Sequence, residues 1–230
     1  MAGKAAGEGQ RRHDAQLQKL LKKAAELFAA QGYDRTSMRD IAQATGMSLA
    51  GLYYYCAGKQ ELLFLIQDTA FGAILEALHA GLPAQPDAVA RLRFFIANHL
   101  RYFSTHMAEL KVCSRELTTL KAPYYAQVAA KRRAYFDTAK GLLQELQAAY
   151  GVADTDLGTT ALFLFGALNW IYTWYRPSRD GDPEVLATKL TRLFLYGFLG
   201  QAAWPAPDGF APPAPAASPF HAEESAHGPR

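Results

Sequence analysis

Apolar residues recur at three- and four-residue spacing along most of this chain, and no stretch alternates convincingly. The pattern therefore predicts an all-α protein without strands. From Asp14, a candidate cap, Leu17, Leu20, Leu21, Ala24, Leu27 and Phe28 make one apolar stripe. Gln18, Lys19, Lys22, Lys23 and Glu26 take the opposite face, and Gly32 closes this first helix. Between Thr36 and Lys59 the pattern contracts to two short helices around a glycine. Ser37 caps the first, with Asp40 three residues on completing a capping box, and Met38, Ile41, Ala42 and Thr45 form its inner face. Gly46 ends it because the sharp turn needs positive φ; Ser48 caps the second helix, and Leu52 and Cys56 face the first.

The prolines divide the remainder. None precedes Pro83, so a fourth helix runs unbroken from about Gly58 to Gly81. A fifth, Asp87 to about His106, turns Leu92, Phe95, Ile96, His99, Leu100 and Phe103 inward. The sixth spans about Ala108 to Leu120, the seventh Pro123 to Tyr150, the eighth Thr155 to Arg176, and the ninth Pro183 to near Ala203. Seven of the 12 prolines fall in the last 26 residues, which hold few large apolar side chains, so residues 204–230 read as a disordered Pro/Ala-rich tail. The expected organisation is a flexible arm over residues 1–13, a three-helix domain over 14–57 and a larger helical domain over 58–203.

The Thr36–Lys59 segment has the spacing of a DNA-binding helix-turn-helix. Ala42 sits where the helices cross, Gly46 follows four residues later in the turn, and Leu52 plugs the gap. The second helix presents Leu49, Ala50, Gly51, Tyr53 and Tyr54 outward, led by its small-residue N-terminal end. Spacing alone is also compatible with an ordinary αα-hairpin. The residues themselves go further. Gly32-Tyr33, Thr36-Ser37, Asp40-Ile41-Ala42, Ala44-Thr45-Gly46, Leu52-Tyr53, Lys59 and Glu61-Leu62-Leu63 together resemble the N-terminal domain of the TetR family of bacterial transcriptional regulators, over roughly residues 14 to 65. Cys56 departs from the pattern, since the family usually has Phe there. The resemblance implies phosphate contacts by Tyr53 and Lys59, and contacts near the groove by Ser37, Arg39, Ser48, Leu49, Ala50 and Tyr54. Arg39 is the clearest candidate for a base contact, so apolar and shape readout should supply part of the specificity.

Charge fits this reading without deciding it. The formal net charge is +3, and residues 1–65 carry the whole surplus, which suits phosphate contacts and equally suits solubility. Cys56 and Cys113 lie in apolar helical contexts and read as buried thiols. The N-terminus lacks the apolar core of a signal peptide, and the run Thr159–Tyr175 is short and interrupted by Asn169, so the expected compartment is the cytoplasm, without membrane association.

The last two helices are apolar on more than one face, and a helix apolar all round must be covered all round. The expected partner is a second copy of the chain, with Phe163, Ala167, Leu190, Phe194, Gly197 and Phe198 at a two-fold interface; a monomer with a thick core is the alternative. The segment from Phe165 to Pro177, FGALNWIYTWYRP, is similar to a subset of TetR-family regulators whose inducers are acyl-CoA thioesters of fatty-acid, aromatic-acid or steroid breakdown. Asn169, Trp170, Trp174 and Arg176 are its ligand candidates, joined by Tyr102, Phe103, His106 and Arg115 from the middle helices. Each has an ordinary structural alternative, and Arg132 and Arg133 read as a solvated face. No phosphate loop, metal signature or nucleophile elbow occurs, so no catalytic residue, metal or cofactor is expected. The expected function is a homodimeric repressor released from operator DNA by a small-molecule inducer. Its alternatives are a repressor with another apolar inducer, as in efflux control, a helical partner-binding protein, or a thioester enzyme.

Overall fold

A computed structural model describes residues 2–152 and 155–199, with side chains placed for 9–152 and 155–197. The proposed tail over 204–230 and the side chain of Phe198 lie outside the described residues. All regular structure among the described residues is helical: α1 (Ala2–Gln31), α2 (Met38–Thr45), α3 (Leu49–Tyr55), α4 (Lys59–Gly81), α5 (Ala88–Ser104), α6 (Met107–Arg115), α7 (Tyr124–Tyr150), α8 (Leu157–Asn169), α9 (Ile171–Trp174), α10 (Pro177–Asp180) and α11 (Pro183–Leu199), with a 3-10 turn at Leu82–Ala84.

Local chemistry sets most boundaries. Asp87 accepts from the Ala90 N–H at 2.8 Å to start α5, and Asp156 accepts from Gly158 and Thr159 to start α8. Gly151 ends α7 with φ 65°. Three boundaries differ from the sequence expectation. The first helix does not begin at a cap on Asp14 but runs back to Ala2, because Ala, Lys, Glu, Gln and Arg dominate residues 2–12 and no proline interrupts them. The eighth helix does not reach Arg176. It breaks at Trp170, where aromatic and β-branched residues crowd together, and Thr173 Oγ1 turns back to donate to the Trp170 carbonyl at 2.7 Å. The sixth helix is also shorter than expected, ending at Arg115 in a turn that leads to Leu120.

The core is continuous. Leu20, Ala24 and Phe28 of α1 close over Ile41 and Leu52, and Leu62, Leu63 and Ile66 of α4 carry the apolar layer on into the larger domain. There α4 packs on α7, α5 on α7, and α11 chiefly on α5, while α6 packs mainly against α1. By length and composition α4 is apolar enough to cross a bilayer, but Leu62, Leu63, Ile66, Ala70, Ile74 and Leu78 are buried against neighbouring helices. The α5 residues expected inside, Leu92, Phe95, Ile96, His99, Leu100 and Phe103, are all buried.

Candidate nucleic-acid interface and effector region

The helix-turn-helix forms as its sequence dictates. Ser37 Oγ accepts from the Asp40 N–H at 3.2 Å, and Asp40 Oδ2 accepts from the Ser37 N–H at 2.7 Å, closing the capping box. The Ser37 N–H foremost, and the Ser37 hydroxyl with it, donate to the Asp40 carboxylate and hold its carboxyl below the ordinary range. Gly46 sits at φ 70°, ψ 20°, and the N–H of Met47 returns to the Ala42 carbonyl at 3.0 Å. Ser48 Oγ accepts from the Gly51 N–H at 3.0 Å and starts α3. Leu52 is fully buried between the helices. Cys56 is also buried, but as the extended residue just past the helix end, its thiol 3.7 Å from the Leu52 carbonyl.

With Leu52 and Cys56 turned inward, Ser48, Leu49, Ala50, Tyr53 and Tyr54 face solvent, and Tyr53 and Tyr54 are 53% and 74% exposed. A large phenol left this exposed on a short helix is available to a partner. Arg39 is exposed beside them and in no ion pair among the described residues. Two of the expected contacts are already engaged. The Ser37 hydroxyl donates to Asp40 Oδ2 at 2.7 Å. Lys59 Nζ donates to the carbonyls of Tyr33 (2.9 Å) and Asp34 (3.3 Å) and lies 4.2 Å from the Tyr33 ring centroid. One of the three ammonium donors of Lys59 is thus left for a phosphate. The extension of α1 adds a neighbour the sequence did not announce: His13 packs against Tyr55 at 4.9 Å and Tyr54 at 5.8 Å between ring centroids.

Gln60, at the start of α4, joins the two domains. Its Nε2 donates to Tyr33 Oη at 3.0 Å and to the Thr119 carbonyl at 2.9 Å, while its Oε1 accepts from the Lys121 N–H at 3.1 Å. Lys111 of α6 adds a second tie by donating to the Ala29 carbonyl near the end of α1.

The eight expected ligand residues fall in separate places. Tyr102 and His106 stack at 4.3 Å and line a cleft of about 330 Å³ with Gln18, Lys19, Leu21 and Lys22 of α1, Ile66 and Thr69 of α4, and Thr105 and Glu109. Burial raises the Glu109 carboxyl there, against the pull of His106 and Lys22, and also raises the Tyr102 phenol. Phe103 does not join them. It is a core residue packed on His99 at 4.7 Å. Arg115 is exposed and lies 5.7 Å from the Tyr172 ring. Asn169 is half-buried at the end of α8, and Arg176 donates to the Tyr175 carbonyl at 2.9 Å. Trp170 and Trp174 are exposed rather than lining a cavity within the chain, because the break at Trp170 turns their rings away from the core.

Other large apolar groups are uncovered as well. Phe163 of α8 and Leu193 and Tyr196 of α11 are each more than 70% exposed, and Ala167 and Gly197 are exposed too. Leu190 and Phe194, expected at the interface, instead pack partly buried against the chain's own core; the outward face of α11 belongs to Leu193 and Tyr196.

Sequence reasoning also missed Arg132. It is not on a solvated face: it lies between Val128 and Tyr135 on the buried stripe of α7, half-buried, and donates to the Cys113 carbonyl at 2.7 Å. The i, i+4, i+7 spacing from Val128 was the available signal.

A buried helix-turn-helix core with an exposed recognition helix, joined to a larger all-helical domain, defines a ligand-domain DNA-binding regulator. Residues 20–66 match the family described as "Bacterial regulatory proteins, tetR family", and residues 85–198 match "Tetracyclin repressor-like, C-terminal domain". The chain belongs to the TetR family of transcriptional regulators. It is similar to the HTH-type transcriptional repressor KstR2 of Mycobacterium tuberculosis, at 26% identity over 77% of this chain and 90% of that one. A TetR-family regulator from Bordetella parapertussis superposes with a TM-score of 0.74 at 28% identity, covering 80% of this chain and 96% of that chain. AibR, solved in complex with isovaleryl coenzyme A and operator DNA, superposes with a TM-score of 0.67 at 26% identity, covering 77% and 97%.

Proposed function

We propose that this chain is a homodimeric repressor that an acyl-CoA thioester releases from its operator. The observation that carries the DNA half is the recognition helix, whose Ser48, Leu49, Ala50, Tyr53 and Tyr54 face solvent while Leu52 fixes it to α2. Tyr53, Ser48 and the remaining donor of Lys59 contact phosphates in this reading. Leu49, Ala50 and Tyr54 read the groove by shape and apolar contact, and Arg39 supplies a base or phosphate contact.

Homodimerisation is supported by the uncovered apolar surface of α8, α9 and α11, where Phe163, Trp170, Leu193 and Tyr196 expose large side chains. Covering that surface with a second copy buries the aromatic groups and sets two recognition helices at a fixed spacing. The thioester reading is supported by the likeness to AibR, whose structure holds isovaleryl coenzyme A, and by the Phe165–Pro177 segment. In a dimer, Asn169, Trp170, Trp174 and Arg176 stand at the edge of the subunit contact, where a ligand can meet both copies.

Fluorescence anisotropy on DNA from upstream of the chain's own gene tests the reading. The full chain binds with a steep salt dependence, and acyl-CoA thioesters, but not their free acids, release it. Tyr53→Ala loses operator binding while keeping the dimer. Wild-type DNA affinity in that variant overturns the recognition assignment, and release by none of the thioesters overturns the inducer.

A further inference from the structure

Arg132, in the middle of the helical domain, is in no ion pair among the described residues. Arg132 is half-buried on α7 with its guanidinium 5.2 Å from the Phe71 ring centroid. Its Nη1 donates to the Cys113 carbonyl at 2.7 Å, and no carboxylate pairs with it among the described residues. Its charged neighbour Lys131 is paired with Asp68, and half-exposed Arg91 with Glu145. Burial draws Arg132 below the usual guanidinium range, against a smaller opposing effect of Cys113 and Tyr125.

An unsatisfied acceptor stands in the same region. Gln67, one turn before Phe71 on α4, is fully buried. Its Nε2 donates to the Glu116 carbonyl at 3.3 Å, and its Oε1 has no partner among the described residues. Arg132 and Gln67 therefore both grip the carbonyl end of α6, one from α7 and one from α4. Capping a helix end uses one guanidinium donor and accounts for part of the charge. It does not explain a buried amide oxygen with nothing to accept among the described residues.

We propose that Arg132 and Gln67 form a recognition point for the effector: the guanidinium takes an anionic or carbonyl oxygen, and Gln67 Oε1 takes an amide N–H or hydroxyl. The pantetheine and phosphate arm of coenzyme A offers both, so the proposal deepens the acyl-CoA reading and rests on it for that ligand; a free carboxylic acid offers the anion alone. Occupancy competes with the Cys113 carbonyl for Arg132 and loosens the last turn of α6. The loop that follows carries Thr119 and Lys121, which Gln60 holds to Tyr33 of the DNA-binding domain, so the site lies on a hydrogen-bonded route to the recognition unit.

Isothermal titration of the full chain with isovaleryl-CoA, free CoA and isovalerate tests this, on wild type, Arg132→Gln, Arg132→Lys, Gln67→Leu and the exposed control Arg133→Gln. Arg132→Gln weakens CoA-containing probes by about tenfold or more, the worth of a charge-assisted hydrogen bond. Arg132→Lys, which keeps the charge but loses the fork, falls between. Gln67→Leu weakens the same probes severalfold without a matching loss of thermal stability, a separation that a purely structural role does not produce. Arg133→Gln binds as wild type. If Arg132→Gln does not fold, Arg132→Lys and Gln67→Leu decide the matter. Thioester binding within twofold of wild type in the Arg132 and Gln67 variants overturns this site and leaves the acyl-CoA reading standing. Isovalerate binding that Arg132→Gln abolishes, with no binding of either CoA probe, keeps the anion site and overturns the CoA reading. Absence of binding by all three probes to wild type overturns both.

Discussion

Gln60 offers the sharpest perturbation of the join between the two domains. Its amide makes three hydrogen bonds, to Tyr33 Oη, the Thr119 carbonyl and the Lys121 N–H, and so ties the loop after α1 to the loop after α6. Gln60→Ala removes all three at once. Each such bond contributes about 1 kcal/mol net, and because the residue is half-buried, water replaces part of the loss, so the expected destabilisation is about 1–3 kcal/mol. Urea unfolding followed by circular dichroism, at fixed protomer concentration, measures it as a lower midpoint with an unchanged slope. Operator affinity falls as well, by roughly fivefold for each 1 kcal/mol of lost orientation. Gln60→Glu separates geometry from bulk: it keeps an acceptor for the Lys121 N–H but sets a carboxylate against the Thr119 carbonyl. It is therefore more damaging at pH 7 than at a pH where the carboxyl is protonated and can donate. A Gln60→Ala variant within about 0.5 kcal/mol of wild type, with unaltered operator affinity, refutes the role of this bridge, since that is the scatter of ordinary surface substitutions.

Three further outcomes follow from other parts of the fold. Gly46→Ala meets no steric obstacle, since an added Cβ finds no atom within 4 Å, yet φ 70° alone costs about 1–2 kcal/mol, read as a lower denaturation midpoint. In the proposed dimer, Leu193→Glu places a charge in the apolar α11 surface and yields monomer in sedimentation velocity; a wild-type sedimentation coefficient moves the interface elsewhere. His99 is buried beside Tyr135, and desolvation lowers it from 6.5 to about 3. The unfolded chain then binds a proton below pH 6.5 that the folded chain refuses, so stability falls as pH drops from 6.5 towards 3, by about 1.4 kcal/mol at pH 5.5 from this group. A His99→Leu variant flattens that part of the stability profile; an unchanged acid limb contradicts the burial of a neutral imidazole.

The parts of this molecule that were legible in advance are those settled within one or two helical turns. Ser37 and Asp40, Gly46, Ser48 and Leu52 meet partners three to ten residues away, and each has the role that its side-chain chemistry and spacing predict. The failures have a different cause. A single eighth helix to Arg176 required an unbroken run through Trp170 and Tyr175, but the helix is interrupted at Trp170 and the short α9 stops at Trp174. That run is rich in aromatic and β-branched residues, and Tyr175 is instead buried with its hydroxyl donating to the Gly181 carbonyl at 2.6 Å. Leu190 and Phe194 were placed at the interface because an all-apolar helix has no marked inner face. Only the packing of α11 on α5 decides that Leu193 and Tyr196 point outward.

Gln60, Gln67 and Arg132 show what remains hidden between those limits. All three are polar side chains on helix faces that also carry core residues: Gln67 lies seven residues after Gln60 on α4, with Leu63 four before it and Ile74 seven beyond, and Arg132 lies between Val128 and Tyr135. Helical periodicity alone is enough to mark each position as an anomaly, because a polar group on an apolar stripe must find a partner or leave a group unsatisfied. It cannot supply the partner, which for every one of them is a main-chain group in or beyond the end of α6, 19 to 61 residues away. Carbonyl and N–H groups are the same at every position, so no residue type signals them. Side-chain grips on the main chain of a short helix are therefore invisible to sequence patterns. They also tie α6 to its neighbours and to the DNA-binding domain through hydrogen bonds to the main chain, the kind of contact that the proposed effector would have to exchange.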